Sequence, residues 1–255
     1  IESEEHAHKM AESIAGVARA LQLPCIFKAS YDKANRTSLS SFRGLGITEG
    51  LRILRKIAET VKIPVLTDVH QAADVPRVAE AVDVLQVPAF LCRQTDLLLA
   101  VGHSGRAVNV KKGQFVSPWD MRHAVEKVRS TGNQRVCLTE RGSSFGYNNL
   151  VVDMRSLPVM RRFAPVIFDA THSVQLPSAG ADGKSVSGGR PEFIPVLARA
   201  AVAAGCDGVF LEVHDNPAQA KSDGANALDL VNLRDVLRQL LAVRKAATDS
   251  PAPGD

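Results

Sequence analysis

Short apolar runs alternate with amphipathic stretches along almost the whole chain, and this alternation limits the fold more than any other feature. Seven runs read as strands: 23–27, 63–67, 82–87, 107–110, 135–139, 165–169 and 208–211. Each is followed by a stretch with helical spacing: 48–61, 72–81, 93–101, 117–129, 153–162, 191–204 and 228–247. A further helix over 4–21 carries Met10, Ile14, Val17, Ala18 and Leu21 on one face. Ser117-Pro118 supplies an N-cap and a first-turn proline for the helix it opens. Strands that alternate with helices form a parallel sheet. The runs lack strict polar alternation, as in strands buried on both faces. Seven or eight such units in 255 residues predict a (β/α)8 barrel. The eighth strand is expected before Glu4, with Ile1 as its last part and the rest upstream. No Gly-x-Gly-x-x-Gly follows any strand, which argues against a dinucleotide-binding doubly wound sheet. The expected organisation is a single catalytic domain over 1–248 and a tail over 249–255.

Charge and composition narrow the partners. Lys and Arg number 31 against 27 Asp and Glu, a net charge of +4. That mild excess suits small anions. A nucleic-acid surface needs aromatic platforms among its basic residues, and aromatics make up only 5% here. No apolar stretch reaches the roughly 20 residues of a membrane span, and no signal peptide is visible. Cys25, Cys92, Cys137 and Cys206 form no CxxC pair. They read as reduced packing residues of a cytoplasmic protein.

The chemistry collects where the strands end. In a barrel the C-terminal strand ends converge on one mouth. Lys28, Asp68, Gln86, Lys111, Arg141, His172 and Glu212 all fall there. The loop after the first strand adds Lys33, Asn35, Arg36, Thr37 and Ser38. Five cations (Lys28, Lys33, Arg36, Lys111 and Arg141) would repel one another unless an anion lies between them. Two phosphates, or a phosphate and a carboxylate, would use them well. His172, Glu212 and Asp223 have the composition of a divalent-metal site, with His214 and His70 as competing ligands. A hydrogen-bonded His beside carboxylates is the plainer alternative. Loop 177–190, with Gly180, Gly183, Gly188 and Gly189, reads as a lid over the mouth.

These residues occur in recognisable order. Lys33-Ala34-Asn35-Arg36-Thr37-Ser38, Thr67-Asp68-Val69-His70, Gln86-Val87-Pro88-Ala89-Phe90, Asn109-Val110-Lys111-Lys112-Gly113-Gln114-Phe115, Glu140-Arg141-Gly142 and Phe168-Asp169-Ala170-Thr171-His172 together resemble 3-deoxy-D-manno-octulosonate 8-phosphate synthase. The resemblance runs in colinear order from Ile1 to at least Leu230. It implies a (β/α)8 barrel, usually a homotetramer. Such an enzyme condenses phosphoenolpyruvate with arabinose 5-phosphate and releases phosphate, on the way to the sugar acid of lipopolysaccharide. By the same resemblance, Lys28, Lys33, Lys111 and Arg141 hold phosphoenolpyruvate, with Gln86, Pro88 and Ala89 lining its pocket. Asn35, Arg36 and Thr37 take the pentose phosphate and hydroxyls, and Asp68 lies at the sugar end.

The family has metal-dependent and metal-independent branches. Both keep the equivalents of His172, Glu212 and Asp223. The fourth ligand, Cys or Asn, would lie two positions before Ile1. Ser222-Asp223-Gly224, Cys92-Arg93-Gln94-Thr95-Asp96, Lys112-Gly113-Gln114 and Thr171-His172-Ser173-Val174-Gln175-Leu176-Pro177 resemble the metal-dependent branch. One departure is His214-Asp215-Asn216-Pro217, where the family usually has proline directly after the histidine. Two alternatives stand beside this reading. The sister enzyme, 3-deoxy-D-arabino-heptulosonate 7-phosphate synthase, typically carries Lys-Pro-Arg-Thr at Lys33-Ala34-Asn35-Arg36. A non-catalytic sugar-phosphate binding barrel would not need Asp68, His172, Glu212 and Asp223 beside the cations.

Overall fold

Apolar β-branched runs pair side by side because each strand is covered on both faces. The structure, a computed structural model, describes residues 1–35, 41–177, 188–222 and 224–249. Its centre is a curled sheet of seven parallel strands in sequential order. They are β1 (Phe27–Lys28), β2 (Val65–Asp68), β3 (Val84–Val87), β4 (Ala107–Lys111), β5 (Val136–Glu140), β6 (Val166–Asp169) and β7 (Gly208–Phe210). The helices are α1 (Glu4–Ala20), α2 (Ile47–Val61), α3 (Val75–Ala79), α4 (Thr95–His103), α5 (Met121–Arg129), α6 (Ser156–Arg161), α7 (Ile194–Ala203) and α8 (Leu230–Asp249). Leu54 and Ile57 of α2, Leu85 of β3, Leu138 of β5 and Phe168 of β6 are fully buried in the continuous core between sheet and helices.

Most predicted elements are present, with ends shifted by one to three residues. The first strand differs more. It begins at Phe27 instead of Leu23. The Leu23 amide donates to Ala18 O, closing the end of α1. Pro24 has no amide to give a ladder, and Ile26 is half exposed. Three of the expected helices open with a tight 3-10 turn: 72–74, 118–120 and 191–193. Ser117 caps as expected, its hydroxyl accepting from the Trp119 amide.

Three long connections contain short pairings that the sequence does not advertise. Ser143–Ser144 pairs with Leu150–Val151, and Gln175–Leu176 pairs antiparallel with Gly188–Gly189. Val213–His214 runs parallel to Leu228–Asp229. The expected lid therefore starts and ends on a paired base, while its residues 178–187 lie outside the described ones. Cys25, Cys92, Cys137 and Cys206 are free thiols, and burial pushes the Cys206 thiol up to about 11. Among the described residues no helix is long and apolar enough to cross a membrane.

Among the described residues β1 and β7 are sheet edges and the sheet does not close. A cavity of about 300 Å³ lies there, lined by Phe27, Lys28, Phe210, Met10 and Leu233 among others. Of the expected (β/α)8 barrel, the described residues form an open, curled sheet of seven parallel strands alternating with helices.

One close approach fixes the segment that carries Lys28 and Lys33. A Cβ on Gly50 of α2 would meet the Cβ and Cα of buried Tyr31, the latter at 2.9 Å. Gly16 of α1 has open space at the same position. Alanine is the better helix former by about 1 kcal/mol, so Gly16→Ala should raise stability by up to about that amount. Gly50→Ala should instead lower it by about 1–3 kcal/mol, because overpacking outweighs propensity. Urea unfolding of the two variants checks the opposite signs.

Candidate active site

Parallel strands place all their C-terminal ends on one edge, so the register decides which side chains meet. Asp68 of β2 pairs with Gln86 of β3, Lys111 of β4 with Thr139 of β5, and Asp169 of β6 with Phe210 of β7. Asp68 and Gln86, both expected at the mouth, therefore sit side by side, and the other ends fall along the same edge.

The centre is Asp169, which is fully buried. Its Oδ2 accepts from Lys111 Nζ at 2.6 Å and from His172 Nδ1 at 2.8 Å. Its Oδ1 accepts from the amides of Thr171 and His172 at 3.2 and 2.8 Å. Burial alone would raise this carboxyl, but His172 and then Lys111 outweigh it and hold it far below the usual range. Burial pushes the Lys111 ammonium below an ordinary lysine; Asp169 partly offsets this, and the charge of Arg141 adds to it. The Lys111 ammonium also lies 5.1 Å from the centre of the Phe210 ring.

The chain of contacts continues outward. His172 Nε2 stands 3.2 Å from Glu212 Oε2, and the other oxygen of Glu212 is 3.8 Å from Lys33 Nζ. The Glu212 amide donates to Thr171 Oγ1 at 2.8 Å. Arg141 donates to His172 O and to Gln175 Oε1. On the other side, Lys28 lies 3.4 Å from Asp68 and donates to Ser30. His70 Nε2 lies 3.0 Å from the second oxygen of Asp68. Desolvation would raise Asp68, but Lys28 and His70 overcome it and hold the carboxyl well below the usual range.

The structure thus brings together Lys28, Lys33, Asp68, Lys111, Arg141, His172 and Glu212. Pro88 and Ala89 are buried directly after β3. The Gln86 amide donates to Asn109 Oδ1 at 2.8 Å in the interior. Asn35 is exposed. Arg36, Thr37 and Asp223 lie outside the described residues. The competing ligands separate: His70 belongs to Asp68, and His214 faces Glu2 and Asp215. The expected self-repelling cation cluster is corrected, because Lys28, Lys33 and Lys111 each have a carboxylate within 3.8 Å.

Sequence reasoning assigned no role to Asp169, Lys112 or Glu140. Asp169 could have been found, since it ends a strand just as Asp68 and Lys111 do. Lys112 and Glu140 are almost fully buried 3.5 Å apart. Lys112 also donates to Gly142 O and Ser143 Oγ at 2.9 and 3.1 Å. Glu140 accepts from the Gly142 amide. The pair ties the turn after β4, which follows Lys111, to the turn after β5 that carries Arg141.

Residues 1–248 match the model of the DAHP synthetase I family. A 2-dehydro-3-deoxyphosphooctonate aldolase of Koribacter versatilis is 72% identical over 252 residues, covering 99% of this chain and 91% of the relative. One from Desulfatibacillum aliphaticivorans is 58% identical, covering 97% and 90%. One from a Synechococcus strain is 56% identical, covering 98% and 87%. The chain belongs to the DAHP synthetase I family and, within it, to the 2-dehydro-3-deoxyphosphooctonate aldolases, the enzymes also called 3-deoxy-D-manno-octulosonate 8-phosphate synthases.

Breaking the buried pair on one side should cost more than removing both charges. Lys112→Met leaves the Glu140 carboxylate buried without its cation, at a cost of about 3–5 kcal/mol. Adding Glu140→Gln should restore about 0.5–3 kcal/mol of this. Chemical denaturation of the two single variants and the double variant measures the coupling; simple additivity would show that the pair is not coupled.

Proposed function

We propose that this polar edge is the catalytic mouth at which the chain condenses phosphoenolpyruvate with D-arabinose 5-phosphate and water. The products are 3-deoxy-D-manno-octulosonate 8-phosphate and phosphate, and the pathway served is synthesis of the lipopolysaccharide sugar acid. The observation that carries the reading is the buried Lys111 beside Arg141, both at the ends of neighbouring strands. Two cations held in a dry site suit a small dianion far better than they suit water. The heptulosonate alternative is not favoured, since the relatives reported above all carry the octulosonate name. A binding-only barrel has no use for carboxylates and imidazoles among the cations.

In this reading Lys28, Lys33, Lys111 and Arg141 hold the phosphate and carboxylate of phosphoenolpyruvate, between Gln86, Pro88 and Ala89. Asn35, Arg36 and Thr37 take the pentose phosphate and its hydroxyls. Asp68 faces the sugar. The enol carbon attacks the pentose aldehyde, forming the carbon–carbon bond. Water adds to the neighbouring carbon, and the resulting hemiketal phosphate loses phosphate by C–O cleavage. The residues hold two anions in attacking position, which is where most of the rate gain lies.

A divalent ion fits the donor set here. Asp169 holds His172 through Nδ1 and leaves Nε2 directed at Glu212, the usual outer-carboxylate arrangement of a ligating imidazole. His172, Glu212 and Asp223 would hold the ion, with a fourth Cys or Asn ligand two positions before Ile1. Such an ion would supply Lewis acidity toward an aldehyde or a water. The same upstream segment would add the eighth strand between β1 and β7 and close the barrel. We place the catalytic domain over 1–248, with 249–255 as a tail, and the working enzyme as a cytoplasmic homotetramer. Exposed Phe90, Phe115, Trp119 and Phe145 on the segments after β3, β4 and β5 offer apolar area for subunit contact.

The direct test is phosphate release from phosphoenolpyruvate with arabinose 5-phosphate or erythrose 4-phosphate, before and after a strong chelator. The pentose phosphate should be turned over at least tenfold better, and chelation should abolish turnover until a divalent ion is restored. Turnover by metal-free protein would remove the metal from this account; no turnover with either sugar would remove the synthase reading. Alkaline pH gives a second test. The folded Lys111 loses its proton below the ordinary lysine value, so affinity that needs its charge is lost as pH rises through that lowered value. KM for phosphoenolpyruvate should climb on the alkaline side, and Lys111→Arg should move the climb to higher pH. An unmoved limb would assign it to another group.

A further inference from the structure

The departure at Asp215 builds a feature that the synthase reading does not use. Asp215 Oδ1 accepts from His6 Nε2 of α1 at 2.9 Å and lies 3.3 Å from His214 Nδ1. Its Oδ2 accepts from Lys9 Nζ at 2.6 Å. The two imidazoles pack tilted at 38°, with their centres 4.7 Å apart. His214 Nε2 points 3.5 Å from Glu2 Oε1, is buried, and has no hydrogen-bond partner among the described residues. Among the described residues, one group offers three metal-ligating side chains together: Glu2, His6 and His214, with ligand atoms within 4.8 Å of one another.

We propose that Glu2, His6 and His214 form a second divalent-metal site, separate from the His172–Glu212 pair, with Asp215 orienting both imidazoles. Ligand atoms on one ion at about 2.1 Å stand at most about 4.2 Å apart, so sub-ångström shifts close this group around an ion. Two imidazoles and a carboxylate suit zinc and its first-row neighbours better than magnesium or calcium. An ion on His214 Nε2 requires the proton on Nδ1. Nδ1 now accepts from the Asn216 amide at 2.9 Å, and Asp215 is the acceptor at hand for the other tautomer. Lys221 donates its amide to Glu2 Oε1 at 2.7 Å, which holds the third ligand in place. The side chains of Glu2, His6 and His214 are 20%, 24% and 13% exposed, enough for an ion to enter and little enough for it to stay. Glu2 immediately precedes the cap of α1, His6 lies in its first turn, and His214 comes from the strand pair after β7. A bound ion therefore joins these two elements across the sheet opening without taking part in the condensation.

The His172→Ala protein, with its other metal ligand pair broken, isolates the second site. Zinc titrated into it by calorimetry should bind with one equivalent, raise Tm, and be replaced by cobalt with visible d–d absorption. Adding His6→Ala should remove that equivalent and the Tm rise. Glu2→Gln, which keeps the shape, should weaken binding at least tenfold. In the otherwise unchanged protein, His6→Ala should leave phosphoenolpyruvate turnover intact. Equal zinc binding with and without His6→Ala and Glu2→Gln would overturn the site, as would the absence of zinc binding to folded His172→Ala protein.

Discussion

A carboxylate at no exposure to solvent is tolerable only when every lone pair has a donor, and the mouth is organised around one such group. Asp169 has four donors: an ammonium, an imidazole and two backbone amides. Removing any charged partner would strand a buried charge at a cost of several kcal/mol. The same contacts fix where the partners point. Lys111 cannot swing toward solvent without abandoning Asp169, and His172 is left with Nε2 aimed at Glu212. One buried anion thus sets the positions of an ammonium and an imidazole, the two groups to which the proposed function gives substrate and metal.

The sheet makes that contact possible. Lys111 and Asp169 are 58 positions apart in the chain, yet each is the last residue of its strand. The sequential parallel order brings β4, β5 and β6 together with each end only one residue beyond the last paired position of the strand before. Lys112 and Glu140 lock the turns that follow β4 and β5. Shifting β5 by one residue would carry Glu140 to the opposite face. It would then lose Lys112, and Arg141 would lose its place beside His172. Register and site chemistry are specified together.

The alternation of apolar runs and amphipathic stretches was enough to read the seven strands and eight helices, because burial on both faces leaves short, near-continuous apolar runs that turns interrupt. The strand ends were equally legible, so Lys28, Asp68, Lys111, Arg141, His172 and Glu212 could be named from position alone. The start of β1 was not, because Leu23 to Ile26 looks like a strand while Pro24 lacks a donor and the Leu23 amide belongs to α1. Two-residue pairings such as Gln175–Leu176 with Gly188–Gly189 carry no period to detect. Ion pairs were the least legible part. Nothing local in Lys112 says that it is buried against Glu140, or that His214 leaves Glu212 to join Glu2.

Pairing inside the mouth changes how an anion is received. A bare cluster of cations would draw any anion and bind it strongly, whatever its shape. Here Lys28 already faces Asp68, Lys33 faces Glu212 and Lys111 faces Asp169. A phosphate gains a cation only by sharing it with the carboxylate in place, so nonspecific attraction is reduced. What remains favourable is the ligand whose own oxygens reach several cations at once and recover the shared bonds. If these cations receive the substrate as proposed, that requirement selects for two anionic groups at a set separation, which phosphoenolpyruvate has and inorganic phosphate lacks. In the proposed condensation, preorganised donors would then act with little rearrangement when charge builds up on the departing phosphate. In that reading, the carboxylates that look wasteful beside the cations supply the discrimination.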